Sequence, residues 1–251
     1  MADAVVDLQA TNIFGLNANF NTSGSTTTPT KTRTEVLDES GNVACARLVG
    51  DIEEVTQSGI MYCGADFVGD LATFLTTFGD VQNDWLVTAI NISMTAGAPA
   101  TMDITGHNHV TNAHVTGVSI GQADVSDFLP HEVTEAFAAW DGNNIPDFGI
   151  TLGTTATPSS ATVGFAMNHV DTPDTNGDHF VGKNTTPRCT LSMDFSGIPT
   201  SSTAAALEVD LKANTNNMLD PLVMPVALSD SNTAHDTSSF TCEANADLIT
   251  A

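Results

Sequence analysis

Residues 87–107 read VTAINISMTAGAPATMDITGH. In an extended chain Ile90, Ile92 and Met94 fall on one side, and Asn91 and Ser93 on the other. Met102 and Ile104 alternate in the same way with Asp103 and Thr105. The intervening 95–99, TAGAP, contains a glycine and a proline, residues that let a chain reverse. A period of two closed by a turn predicts strands over 87–94 and 100–107, joined as an antiparallel hairpin.

The pattern recurs along the chain. Segments 161–170 (ATVGFAMNHV) and 188–197 (RCTLSMDFSG) read as a second hairpin, with Leu191, Met193 and Phe195 on one face. In 205–214 (AALEVDLKAN), Leu207, Val209 and Leu211 alternate with Glu208, Asp210 and Lys212, which predicts a third β region. The two prolines of 221–228 (PLVMPVAL) place that stretch at a sheet edge. Helical spacing occurs in 66–78, through Phe67, Leu71, Phe74, Leu75 and Phe78, and in 127–140, through Val133, Phe137 and Trp140. The fold class is therefore mainly β: a β-sandwich or barrel of antiparallel hairpins with one or two short helices.

With 251 residues the chain can form one β-rich domain, 1–251. An internal echo leaves a second arrangement open, two related halves of about 1–120 and 121–251. ATMDITGHNHV at 100–110 resembles ATVGFAMNHV at 161–170, and ISMTAGAP at 92–99 resembles LSMDFSGIP at 191–199. The run 22–34, TSGSTTTPTKTRT, reads as a flexible loop or an extended arm.

Six basic residues oppose thirty acidic ones, for a formal net charge of −24. No basic stripe exists to grip DNA or RNA through its phosphates. Such acidity repels polyanions and keeps a protein soluble at high concentration, and adaptation to salt would also produce it. Neither a signal-peptide pattern at the N-terminus nor an apolar run long enough to cross a bilayer is visible. The expectation is a soluble protein made in a cytoplasm. Cys45, Cys63, Cys189 and Cys242 are far apart and form no metal-binding pair motif, so reduced thiols are expected.

The densest polar stretch is 168–180, NHVDTPDTNGDHF. Its oxygens at Asp171, Asp174, Asn176 and Asp178 are candidates for a calcium loop. With Gly177 as the sixth loop position, Lys183 stands where the bidentate glutamate belongs. Pro173 and Asn176-Gly177 instead suit a hairpin tip. His107 and His109, two apart on a strand, share a face as a zinc or nickel pair would, and His114 is a third candidate nitrogen. No carboxylate or cysteine nearby completes that set. GVSIG at 117–121 has the letters of a nucleophile elbow without the following helix. GDHFVGKN at 177–184 has P-loop spacing, but Asn184 replaces the magnesium-binding hydroxyl. No catalytic set and no cofactor motif emerges, so the reading is not an enzyme.

Polar β-hairpins, few helices, strong acidity and no catalytic set give the chain a style. With LVTAINISMTAGAPATMDITGH, the strands around MNHVDTPDTNGDHFVGK and TPRCTLSMDFSGIPT, and DFVGDLATFLTTFGD, the chain resembles the tail-tube proteins of tailed bacteriophages. That resemblance implies a virion structural protein that forms rings with copies of itself. The rings stack into a tube whose acidic lumen passes DNA without binding it, in company with other virion proteins and no membrane. It makes Lys31 and Arg33 candidates for docking on a neighbour's carboxylates. A capsid decoration or other virion surface protein, and a calcium-dependent binding module, are the alternatives.

Overall fold

The computed structural model describes residues 14, 20–61, 81–82, 85–109, 145–154, 156–173, 179–212, 222–224, 226–229 and 236–245. The strands are β1 (Phe20–Leu37), β2 (Val43–Met61), β3 (Val81–Gln82), β4 (Trp85–Thr95) and β5 (Thr101–His109). Then come β6 (Thr157–Pro173), β7 (His179–Ser196), helix α1 (Ala204–Lys212), β8 (Leu222–Val223), β9 (Ala227–Ser229) and β10 (Thr237–Asn245). All ten strands form one antiparallel sheet in the order β1-β2-β5-β4-β6-β7-β10-β8, with β3 beside β4 and β9 beside β10. The protein is mainly β, as the alternation predicts. Among the described residues the strands form one open sheet, with β1 at one edge and β8 and β9 at the other, rather than a closed barrel. Pairing of β4 with β6 makes the sheet continuous across both halves of the chain.

The expected hairpin at 87–107 is β4 and β5, with Ile90 opposite Ile104 and Ile92 opposite Met102. Its alternation runs on across the sheet. Met102, Ile92, Val163, Leu191 and Cys242 stand in one cross-strand row on the apolar face, and Ile104, Ile90, Phe165, Cys189 and Ala244 in the next. All ten are buried. They are covered by Phe14, by Ile145, Phe148 and Ile150, and by Leu207 and Leu211 of α1, which join them in one core. Hydrogen bonds hold this cover together: Asp210 Oδ2 accepts from Thr151 N at 2.8 Å, and Glu208 Oε1 accepts from Val223 N at 3.3 Å.

Segment 205–214 is not the expected strand. Residues 204–212 are helical, and the reason is local. Thr203 caps the first turn, its Oγ1 accepting from Ala206 N at 3.3 Å and its carbonyl from Leu207 N at 3.0 Å. Three alanines, Leu and Glu follow, all favourable in a helix except β-branched Val209. Leu207 and Leu211 are four apart and share the buried side, while Val209 between them is exposed. The expected helices 66–78 and 127–140 lie outside the described residues. Residues 22–34, expected as a flexible loop or an extended arm, lie in β1 and pair along β2. The edge expected at 221–228 is occupied by the short strands β8 and β9.

Candidate assembly surfaces

The second face of the sheet is polar and open to solvent. Thr101, Ser93, Thr162, Ser192 and Thr241 align as one hydroxyl row over five strands. The neighbouring row is Asp103, Asn91, Gly164, Thr190 and Glu243. All of these residues are exposed or half-buried. Cross-strand hydroxyls bind one another, as Ser192 Oγ and Thr241 Oγ1 do at 3.0 Å. Asp103, Asp194 and Glu243 place carboxylates on this face, against the single guanidinium of Arg188 among its described residues.

Among the described residues, two hairpins run past the end of this sheet. Strand β2 pairs, among the described residues, with β5 from Ile52 to Ile60 and with β1 as far as Val43. Among the described residues, Thr32–Leu37 and Val43–Val49 form a two-stranded arm that reaches roughly 25–30 Å beyond the last β2–β5 pair. Strand β6 pairs, among the described residues, with β4 as far as Ala166, and β10 pairs with β7 from Arg188. Beyond these points β6 and β7 pair with each other out to Pro173 and His179. Ala166 lies beside the start of β4 and Ile52 beside the end of β5, so both hairpins leave from the same end of the sheet.

The tip of the first arm is well built. Asp38 Oδ1 accepts from Ser40 N at 2.9 Å and from Asn42 N at 2.8 Å. Asp38 N donates to the Asn42 carbonyl at 2.7 Å, and Gly41 supplies the positive φ of 80° that the turn needs. These bonds, above all that from the Asn42 backbone, hold the Asp38 carboxyl below its ordinary value of 3.8.

Of the residues singled out from sequence, Arg33 is exposed on the arm and pairs with Glu35 at 2.8 Å. Lys31 falls at a register shift between Thr30 and Thr32. Asp171 lies in β6 opposite Gly182, while Asp174, Asn176 and Asp178 lie outside the described residues. Because β6 and β7 pair up to Pro173 and His179, the stretch 174–178 connects two antiparallel neighbours. His107 is buried, and its ring packs on His169 with centroids 4.2 Å apart, tilted by 55°. Sequence spacing pointed to His109, whose backbone pairs with Ile52; topology instead brings β6 to His107. His114 lies outside the described residues, among which no three His, Cys, Asp or Glu side chains are grouped to hold a metal. A shallow groove of about 340 Å³ between β7, β9 and β10 is lined by Asp194, Phe195, Ser229 and Ser238, among others.

No known protein family matches this chain, and no curated protein is significantly similar to it. Among the described residues no helix is long and apolar enough to cross a membrane.

Proposed function

We propose that this chain is a virion structural protein of the tail-tube type. Copies of it assemble into rings, the rings stack into a tube, and an acidic lumen lets DNA pass. The tube is built in the host cytoplasm and remains in the virion, where its ends meet other virion proteins.

The observation that carries this reading is the pair of hairpins leaving one end of the sheet. A two-stranded hairpin is marginal in water by itself and gains stability when a further surface packs on it. A neighbouring copy supplies such a surface. The open polar face supports the same role. Arg188 apart, the described part of this face offers a sliding polyanion hydroxyls and carboxylates rather than cations to exchange for its counterions, so DNA is not retained. Ring closure would also protect the long edge strand β1, which otherwise invites indiscriminate pairing.

Negative-stain microscopy of the purified protein tests the proposal. Hollow tubes with a regular axial repeat are expected. Monodisperse small particles at every concentration would instead favour a decoration protein.

A further inference from the structure

Among the described residues eight large apolar side chains are exposed; Val170 on the β6–β7 hairpin stands alone, and the other seven fall in two groups. Val36 (60% exposed), Leu37 (58%) and Val43 (47%) sit together around the tip of the β1–β2 arm. Val209 of α1 (65%), Leu222 and Met224 at β8 (63% and 48%), and Leu228 of β9 (53%) sit at the opposite edge of the sheet. Each group is large for a surface that meets only water.

Charge separates the two groups further. Residues 31–49 hold three basic residues, Lys31, Arg33 and Arg47, and three acidic ones, Glu35, Asp38 and Glu39. With Lys31, which lies just before the first arm pair, this stretch is neutral, and the remaining residues carry the whole formal −24. At the far edge Glu208, Asp210 and Glu243 outnumber Lys212, and Glu208 and Glu243 both act on the Cys242 thiol beside β8. A hairpin that with its base holds half of the chain's cations suits such an edge.

We infer that the β1–β2 arm tip of one copy seats on the α1–β8–β9 edge of the next, with Val36, Leu37 and Val43 against Leu222, Met224 and Leu228. The inference rests on the self-assembly proposed above and names its contact. Arm-to-arm pairing would leave the acidic edge and its apolar side chains uncovered, whereas the head-to-tail contact covers both. Because the two surfaces differ, every copy offers one of each, and repetition closes a ring or extends a filament.

Two triple variants test this. One carries Val36→Ser, Leu37→Ser and Val43→Ser; the other carries Leu222→Ser, Met224→Ser and Leu228→Ser. Each should weaken self-association by roughly tenfold or more, as loss of central apolar anchors does. Mixed one to one, they should form a heterodimer in the ultracentrifuge, since each retains the surface the other lacks. A mixture that stays monomeric while the wild type assembles overturns this contact and leaves the tube reading standing. A heterodimer without tubes from the wild type supports the contact and overturns the tube. A wild type that never self-associates overturns both. Should either triple variant fail to fold, Leu222→Cys alone suffices. Cys45 is exposed directly across from Val36, so oxidation should give a covalent ladder of copies that Cys45→Ser abolishes. Assembled protein that yields no ladder overturns the contact.

Discussion

Gly164 lies directly across from Thr190, whose hydroxyl occupies the space a side chain at 164 would take. A Cβ there would come within 2.8 Å of Thr190 Oγ1. That hydroxyl can turn away, so Gly164→Ala should cost only about 1 kcal/mol. Gly106→Ala meets the packed Phe14 ring at 2.7 Å and the Leu86 carbonyl oxygen at 3.1 Å. Backbone cannot rotate aside, and the cost there should approach about 3 kcal/mol. Urea denaturation of the two variants checks the order; equal losses would contradict it.

Helix α1 makes a sharper test, because a strand and a helix bury different residues. Leu207→Ala removes a fully buried side chain and should cost about 2–5 kcal/mol. Thr203→Ala removes the cap and should cost about 1 kcal/mol. Val209→Ala should stay within about 0.5 kcal/mol of the parent, since the side chain faces solvent. Thermal or urea melts in which Val209→Ala costs as much as Leu207→Ala would restore the strand.

These two cases show what the sequence displays and what it conceals. The β4–β5 hairpin was legible because each residue of 87–107 takes one of two sides and a turn follows. Segment 205–214 misled because 207 and 211 are in phase in both a strand and a helix, and Val209 completes a false alternation. Strand β1 was hidden because its run of threonines has high β-propensity but no apolar face to mark the period. Strand β10 carried a usable signal, Phe240, Cys242 and Ala244 at alternate positions. The candidate surfaces were only partly legible. Arg33 lies on the arm and Lys31 just before it, but the extent of the arm among the described residues depends on how far β5 pairs with β2, which no local pattern encodes. His169 beside His107 is likewise a product of sheet order.

The buried thiols give the protein an alkaline limit. Burial, then the neighbouring Cys242, pushes the Cys189 thiol far above its ordinary value of 9.0. Burial together with Glu208 and Glu243 pushes Cys242 up to about 12. A raised folded value keeps the proton in the native state while the unfolded chain loses it. Stability from these groups is therefore complete below about pH 9 and falls as pH rises from there toward 12. Denaturation midpoints at pH 8 and pH 10.5 should fall in that order, and Cys242→Ala should flatten the difference. Alkylation mapped by mass spectrometry should find Cys45 modified in the native protein, with Cys189 and Cys242 protected until unfolding.

The arm tip has an acid limit for the opposite reason. The Asp38 carboxyl is held below 3.8 by the backbone of Asn42 and Ser40. Its contribution is present above 3.8 and is lost as pH falls through the lowered folded value. Hydrogen exchange at Ser40 and Asn42 should quicken at Asp38→Ala, at pH values where the parent tip is protected. The same variant should polymerise more slowly while its global melting point holds, because the tip lies far from the core. Unchanged exchange would show that the carboxylate does not order the tip.

The central claim is self-assembly into a tube. Electron microscopy of the purified wild-type protein, with a concentration series followed by sedimentation, tests it most directly. Hollow tubes of stacked rings, sedimenting above a threshold concentration, are the expected result. A protein that remains a single monomeric species at every concentration would contradict the account.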